Sequence, residues 1–416
     1  MLRIKNNMSN LQVISAPTPP TERNPALDAL RGFAVLGILI MNVQSFSMIG
    51  AAYINPTAFG DFTGINKWVW ILSHIIADQK FLSIFSILFG AGIILFTDRL
   101  QARGLNPLGF HYRRTFWLIF IGMLHAYLFW YGDILVTYGL CSLLVVLLRK
   151  FSPKALLTLG ILVFSVASIL YLLFGFSLPY MPPEAYEGIK QSWQSNPELI
   201  QKELLTYQGG WLEQLKIRIP EAIQFQTFIF LILMGWRAGG LMLVGMALYK
   251  WQIVTAGRTN RFYTSLLAAG FIIGFPLIIL GVLRNFGANW SVDYSMFFGW
   301  QFNYWGSMFV ALGYIAFMML IAKSPFFKGM IGILDAVGRM AFTNYLLQTL
   351  ICTTIFYGHG FGLFGQVDRW RQILIVFGVW IIQITVSLLW LKHFRFGPVE
   401  WLWRSLTYRK LQPMRT

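Results

Sequence analysis

The chain has 416 residues, of which 56% are hydrophobic and 17% aromatic, whereas only 12% are charged. A soluble domain usually has about a quarter of charged residues and could not bury this much apolar surface. The formal net charge of +17 comes from short basic clusters between apolar runs. We therefore expect a protein whose partner is the lipid bilayer, and no nucleic-acid partner.

The apolar runs predict an all-α fold, a polytopic integral membrane bundle of about ten transmembrane helices. Residues 1–24 are polar and proline-containing and are expected to form a flexible cytoplasmic tail. The first apolar run begins too late and is too long for a cleaved signal sequence. The ten runs are 30–50, 68–97, 115–131, 134–148, 155–178, 223–249, 262–283, 302–322, 339–358 and 372–391.

The distribution of Lys and Arg predicts the orientation, because cytoplasmic loops accumulate basic residues near helix ends. If the N-terminus is inside, the inner segments hold 22 basic residues and the outer segments hold 8, with 3 more inside the runs. Both termini are therefore expected on the cytoplasmic side of a bacterial inner membrane.

Three further regions follow the tail in the predicted organisation. Residues 25–178 form an N-terminal transmembrane region, 179–222 an extracytoplasmic loop, cap or surface helix, and 223–416 a C-terminal transmembrane domain. The weakest part of the topology is 115–148, where two crossings share few residues and either cross incompletely or re-enter.

Polar residues in the first run form one candidate site, because ionisable groups are costly inside a membrane. Asp28 and Arg31 are three residues apart and can pair on one helical face. Asn42 should lie on the same face, deeper in the bilayer. A structural ion pair with an ordinary interhelical hydrogen bond is an equal alternative.

The second run carries His74, Asp78 and Lys80. The first two are i,i+4 neighbours, so the carboxylate can fix the imidazole tautomer and raise its basicity, as a general base requires. Lys80 is a candidate for binding an anionic group or pairing with another helix. A solvated helix end at the outer interface would explain the same residues.

His125 is a second candidate base, because it lies near the middle of the third run. Asp133 stands at the break before the fourth run and is expected either to orient an imidazole or to cap that helix. The alternative for His125 is a neutral ring that donates to a backbone carbonyl.

The later runs add candidates for substrate or donor binding. Arg237 lies among glycines that permit close helix approach, so it fits an anion site or a buried structural pair. Arg339, Asn344, Tyr345 and Gln348 give the ninth run a polar inner half. No metal site is expected, because the five histidines are dispersed and no pair of cysteines occurs at ligand spacing.

Several segments resemble the YeiB-like family of bacterial membrane proteins, over nearly the whole chain. The first helix reads RNPALDALRGFAVLGILIMN at 23–42, and the C-terminal third resembles the domain of unknown function that ends those proteins. The remaining similar segments are 51–56, 80–81, 89–92, 125–138, 338–348 and 396–404.

In its first helices that family is similar to a wider superfamily of transmembrane acyltransferases, which includes bacterial polysaccharide O-acetyltransferases and the lysosomal heparan-alpha-glucosaminide N-acetyltransferase. The resemblance implies acyl transfer from a cytoplasmic thioester to an acceptor on the far side. Asn42 matches a polar position of those enzymes. The catalytic histidine of the lysosomal enzyme corresponds to Tyr53 here, so the resemblance leaves the choice between His125 and His74 open.

The leading hypothesis is thus a membrane acyltransferase. Its donor is acetyl-CoA or another acyl-CoA, with no bound cofactor, and its acceptor is a glycan or a lipid. Arg31 or Arg237 would hold the donor phosphates, His125 would activate the acceptor, and Asn42 would donate to the oxyanion. The alternatives are a transporter or channel for a small anionic or amphipathic solute, and a lipid-binding protein without enzymatic activity. Self-association into a homo-oligomer is left open.

Overall fold

The computed structural model of the protein describes residues 23–415. Within this range the chain forms helices joined by short connections, with one isolated β-bridge between Phe394 and Arg415. The predicted tail at 1–24 lies outside the described residues except for Arg23 and Asn24. The all-α fold class is confirmed.

The helices are α1 (Pro25–Ser47), α2 (Gly50–Ile54), α3 (Gly64–Ile76), α4 (Lys80–Ala102), α5 (Pro107–Leu128), α6 (Leu135–Val145, extended by a 3₁₀ turn Val146–Leu148), α7 (Pro153–Ser177), α8 (Pro183–Trp193), α9 (Pro197–Gln208), α10 (Trp211–Gln224), α11 (Gly235–Lys250), α12 (Asn260–Gly287), α13 (Trp300–Lys323), α14 (Lys328–Arg339), α15 (Ala341–Phe356), α16 (Arg369–Trp390) and α17 (Pro398–Tyr408). A π-helical segment, Phe225–Met234, joins α10 to α11, and another, Val292–Gly299, precedes α13.

Seven helical stretches of the described chain are long and apolar enough to cross a membrane, and two shorter apolar helices, Leu135–Leu148 and Ala341–Phe356, accompany them. In α7, α12 and α16 most of the apolar side chains point out of the bundle. Outward-facing apolar surface of this extent requires a lipid solvent. The protein is a multi-pass membrane protein.

Each of the ten predicted runs contains a helix, but several boundaries differ, and two of the differences concern candidate residues. The run 68–97 is broken at Ala77–Gln79, where Gln79 has φ of 63° and α3 ends. The Lys80 ammonium donates to the His74 carbonyl, which satisfies one of the free carbonyl groups at the end of α3. The break coincides with three consecutive polar residues, Asp78, Gln79 and Lys80.

The two helices of the region predicted to hold short crossings, 115–148, are unequal in length. Helix α5 begins at Pro107 and has 22 residues, a length of roughly 33 Å. Helix α6 with its 3₁₀ turn spans Leu135–Leu148, roughly 21 Å. Only α6 is therefore shorter than the hydrocarbon layer of about 30 Å.

Three long helices, α1, α5 and α7, begin with the same local feature, a polar cap followed by proline. Asn24, Asn106 and Ser152 each accept from backbone N–H groups of the first turn. Proline at the first helical position has no N–H to leave unpaired, so it favours a helix start.

The contacts between connections divide the described chain into two faces. The segments predicted to be cytoplasmic contact one another: Asn24 donates to Thr255, Lys250 to Phe151, and Lys323 to Arg258. Further bonds join Arg339 to Arg395, and Arg113 to Thr407. Both ends of the described chain lie on this face, which we call the terminal face.

The segments predicted to lie outside contact one another on the opposite face. Gly50 donates to Glu203, and Asn55 donates to the Trp193 carbonyl. Arg369 donates to the carbonyls of Pro56 and Asp61. The region 179–222, predicted as a cap or surface helix, consists of α8, α9 and α10, which pack over this face.

Glycine contacts bring α1 and α14 together where the candidate site begins. A Cβ at Gly32 would collide with the Leu334 carbonyl, and one at Gly338 would collide with the Asp28 carbonyl. Close backbone approach through small residues is typical of membrane helix pairs. It places Arg339 beside Asp28.

Candidate functional site

A cavity of about 320 Å³ opens on the terminal face between α1, α4, α5, α15 and α17. Two carboxylates, Asp28 and Glu400, belong to its lining, and seven arginines do so as well, so the described lining has a formal excess of five positive charges. We call it the arginine pocket. Its arginines are Arg23, Arg31, Arg99, Arg103, Arg114, Arg339 and Arg404.

Arg114 and Arg404, two of the seven arginines, lie against aromatic rings. The Arg114 guanidinium lies 4.7 Å from the centre of the Phe96 ring and 4.3 Å from that of Trp403. Arg404 lies 4.5 Å from the ring centre of Phe396. Cation–π contacts fix a guanidinium without neutralising it.

Both carboxylates of the pocket lining already have partners within the protein. Asp28 forms an ion pair with Arg31, as the sequence predicted. Glu400 accepts from the backbone N–H groups of Phe342 and Thr343 and from the Thr343 hydroxyl, so it caps α15. Burial raises the pKa of the Glu400 carboxyl.

Burial and the neighbouring arginines both act on the guanidinium of Arg23. Burial, followed by the charges of Arg404 and Arg339, lowers the pKa of Arg23 to about 10. The group remains a cation at neutral pH. A pocket whose cations repel one another is stabilised by an anion with several negative charges.

The inner end of the arginine pocket is apolar. It is lined by Phe85, Leu88, Phe89, Ile93 and Leu135, with the Tyr138 and Tyr345 rings at its end. The combination of a cationic mouth and an apolar interior suits a ligand with an anionic head and an apolar tail.

The polar groups next to that inner end are His125, Asp133 and Thr349. His125 Nδ1 lies 2.8 Å from Asp133 Oδ1, and His125 Nε2 lies 2.9 Å from Thr349 Oγ1. All three residues are at most 4% exposed. Asp133 also accepts from the Val136 N–H at 2.9 Å, so it both orients the imidazole and caps α6, the two roles predicted as alternatives.

The hydrogen bonds determine which nitrogen of His125 can act as a base. A carboxylate only accepts, so Nδ1 carries the ring proton and donates to Asp133. In the neutral ring, Nε2 then carries the lone pair and accepts from the Thr349 hydroxyl. Nε2 of the oriented imidazole can therefore accept a proton from a hydroxyl group.

Tyr345 stands between the arginine pocket and His125. Its ring lines the pocket, and its centre is 5.3 Å from that of the imidazole. The Ile134 N–H donates to the Tyr345 hydroxyl at 3.3 Å. His125, Asp133 and Thr349 do not line the pocket, and the imidazole of His125 contacts the Tyr345 ring that does.

A second buried polar cluster is formed around Asn303 of α13. Asp78 lies 3.0 Å from His74 Nδ1, the predicted pair, and accepts from the Asn303 amide at 2.7 Å. Lys80 donates to the Asn303 side-chain oxygen at 2.7 Å, so it contacts a neighbouring helix. Lys80 is fully buried.

Arg237 donates hydrogen bonds to neutral groups of the described chain. It donates to the hydroxyls of Ser83 and Ser307 at 2.8 and 2.9 Å and to two backbone carbonyls, and it lies over the rings of Phe164 and Tyr304. It does not line the arginine pocket, so of the two arginines suggested for the donor phosphates only Arg31 does.

The remaining predicted residues either line the arginine pocket or form hydrogen bonds between helices. Arg339 and Tyr345 line the arginine pocket, whereas Asn344 and Gln348 hold helices together. Asn344 donates to Ser387, and Gln348 donates to the Val35 carbonyl and to Gln383. Asn42 is half-buried on α1 and does not line the pocket.

Sequence reasoning missed Thr349 and most of the pocket arginines. The arginines carried a signal, because they belong to the basic excess used to orient the helices. They were counted as topology determinants and not as ligand-binding groups. Thr349 follows Tyr345 by four residues and so lies on the same helical face. This spacing could have indicated Thr349 as a candidate residue.

Comparison with known proteins decides the family. The chain is 35% identical over 402 residues to the uncharacterised protein YeiB of Escherichia coli (strain K12), which covers 94% of this chain and 98% of YeiB. It is 31% identical over 430 residues to the uncharacterised protein YxaH of Bacillus subtilis (strain 168), with 98% of each chain covered. The chain belongs to the YeiB family.

Two further matches agree with membership of the YeiB family. An uncharacterised 39.9 kDa protein from the amylase 3′ region of Bacillus acidopullulyticus is 26% identical over 398 residues, covering 96% of this chain and 97% of that protein. Residues 248–410 match the model of a protein family of unknown function, DUF418. The match includes α17, which supplies Glu400, Trp403 and Arg404 to the arginine pocket.

Proposed function

We propose that this YeiB-family protein is a membrane acyltransferase that takes an acyl group from a cytoplasmic thioester and transfers it to an extracytoplasmic or lipid-linked acceptor. The observation that carries the proposal is the arginine pocket, with its cationic mouth and an apolar end beside an oriented imidazole. The terminal face is the cytoplasmic face, and the membrane is the bacterial plasma membrane. The basic excess on that face supports this orientation.

The chemistry of the donor follows from the two ends of the arginine pocket. Coenzyme A carries a diphosphate and a ribose phosphate, which the guanidinium groups can bind through charge-assisted and bidentate hydrogen bonds. The thioester and its acyl chain then point into the apolar end, toward Tyr345. Acetyl-CoA or another acyl-CoA is the donor.

The transfer step uses His125 as the base. The acceptor hydroxyl gives its proton to Nε2 while its oxygen attacks the thioester carbonyl carbon. The tetrahedral oxyanion collapses, the carbon–sulfur bond breaks, and the thiolate takes the proton back from the imidazolium. Asp133 stabilises the imidazolium, and the Thr349 hydroxyl occupies the position that the acceptor hydroxyl takes in the reaction.

The test is incubation of the purified full-length protein with labelled acetyl-CoA, followed by analysis of thioester hydrolysis, acyl-enzyme and labelled lipid or glycan. The His125→Gln variant should lose transfer and retain donor binding. The matched control is His74→Gln, which also alters a buried imidazole paired with a carboxylate and should retain activity. Full activity of His125→Gln rejects the base, and failure of the unmodified protein to bind any acyl-CoA rejects the enzyme.

A second candidate is transport of a small anionic solute, and the observation that favours it is the cluster around Arg237. Asp78, Lys80 and Arg237 are buried charged residues of the second cluster and its neighbourhood, and the acyl-transfer step uses none of them. Buried charges in membrane helices commonly mark ion or substrate pathways. Uptake of a labelled anion by proteoliposomes, abolished in Arg237→Gln but not in His125→Gln, would favour transport over transfer.

A further inference from the structure

A separate groove of about 640 Å³ lies between α5 and α17, outside the arginine pocket. Its apolar surface is formed by Phe116, Trp117, Leu402, Leu406 and Leu411. Phe116 is 60% exposed and Leu411 75% exposed. An apolar surface this open on the side of a membrane bundle is in contact with the lipid chains.

The rim of the groove is basic. Arg113, Arg409 and Lys410 belong to its lining, and the described lining residues include no carboxylate. Arg113 Nη1 donates to the Thr407 carbonyl at 3.0 Å, which fixes its guanidinium between α5 and α17. Three cations thus meet at one end of an apolar groove.

The level of the groove in the membrane follows from its two elements. Arg113 lies in the second turn of α5, and Phe116 and Trp117 lie about one turn further along this helix. Helix α17 and the residues after it lie on the terminal face. The basic rim therefore lies at the level of the lipid headgroups, and the aromatic side chains of Phe116 and Trp117 lie below it, at the level of the acyl chains.

We propose that this groove is a binding site for one anionic phospholipid of the leaflet on the terminal face. Its phosphate lies among Arg113, Arg409 and Lys410, and an acyl chain lies along Phe116 and Leu402. Basic side chains beside a membrane surface attract anionic lipids. A free phosphate would contact only the basic rim and would leave the apolar surface of the groove uncovered.

The site is independent of acyl transfer, although the two sites share α17. Leu402, Leu406 and Arg409 face the groove, whereas Trp403, Arg404 and Thr407 line the arginine pocket. The α17 helix therefore separates a lipid-facing groove from the interior pocket. Lipid binding can be measured without knowing the reaction.

The test measures retention of labelled phosphatidylglycerol and phosphatidylcholine by the full-length protein in detergent. The Arg409→Gln/Lys410→Gln variant should bind phosphatidylglycerol about 30-fold more weakly, the loss expected for two basic side chains at an anionic surface. The matched control is Lys190→Gln/Arg371→Gln. It removes two exposed positive charges from the opposite face and should bind like the unmodified protein.

Three results would overturn the proposal. Equal retention of the two lipids by the unmodified protein would show that the rim does not select charge. An equal loss in the control variant would show that net charge alone attracts the lipid. Displacement of the lipid by millimolar inorganic phosphate would identify a free-anion site instead. Selective retention that depends on Arg409 and Lys410 and resists phosphate supports the lipid site.

Discussion

Substituting Gly92 with leucine tests whether the apolar end of the arginine pocket holds an acyl chain. Gly92 lies on α4 in the pocket lining, and a Cβ added there meets no atom within 4 Å. The new side chain therefore enters the cavity without displacing the helix. The matched control is Gly378→Leu on α16, where an added Cβ also meets nothing within 4 Å but the position is exposed on the bundle surface.

The magnitude follows from the space removed. A leucine side chain takes the place of about three methylene groups of a bound chain, and each buried methylene contributes about 0.8 kcal/mol. The Gly92→Leu variant should thus bind a long-chain acyl-CoA roughly 50-fold more weakly. Acetyl-CoA has no chain to displace and should be affected much less.

The assay is equilibrium binding of acetyl-CoA and palmitoyl-CoA to the detergent-purified proteins, with thermal unfolding measured in parallel. Both leucine variants should unfold at the same temperature as the unmodified protein. Equal affinities for palmitoyl-CoA in Gly92→Leu and Gly378→Leu would refute the reasoning, because the filled space would then not be used by the donor.

Three other predictions concern the two polar clusters and the outer face. Asp133→Asn presents an amide donor to His125, reverses the imidazole tautomer, and should lower acyl transfer by roughly 10²–10⁴-fold with unfolding unchanged; an unaltered turnover of labelled acetyl-CoA would contradict this. Burial raises the pKa of Glu203 to about 7, and the charge of Glu221 adds to this. The contribution of the protonated Glu203 carboxyl to the stability of the folded protein is therefore complete below pH 4.5 and is lost as the pH rises through 7. Glu203→Gln should therefore melt at a higher temperature than the unmodified protein at pH 8 and at the same temperature at pH 4.5, and identical melting curves at pH 8 would argue against it. Asn303→Leu removes the amide shared by two buried charges and should destabilise the protein by roughly 2–5 kcal/mol, seen as earlier thiol labelling of its buried cysteines on heating; unchanged labelling would exclude this role.

The sequence predicted the helices well because membrane helices are specified by length and hydrophobicity, which are local properties. It did not place the break at Ala77–Gln79, where Lys80 donates to the His74 carbonyl one turn earlier and to Asn303 on another helix. A pattern of apolar residues contains no information on such contacts.

The candidate site was predictable to the extent that its partners are close in the chain. The pairs Asp28–Arg31, His74–Asp78 and His125–Asp133 are separated by at most eight residues, and all three are present. Thr349 and Arg404 come from distant helices, so no local spacing in the sequence associates them with His125 or Arg31.

The short helix α6 explains why the inner pocket and the imidazole meet. Its end at Leu148 lies on the terminal face, and its length of roughly 21 Å leaves its beginning several ångströms below the opposite boundary of the hydrocarbon layer. Asp133 and Ile134 precede that beginning, so the connection from α5 turns inward, and Ile134 reaches the arginine pocket. A full-length α6 would hold Asp133 at the outer surface. The irregularity of this pair of helices is thus what brings a carboxylate, an imidazole and the end of an arginine-lined pocket to the same depth in the membrane.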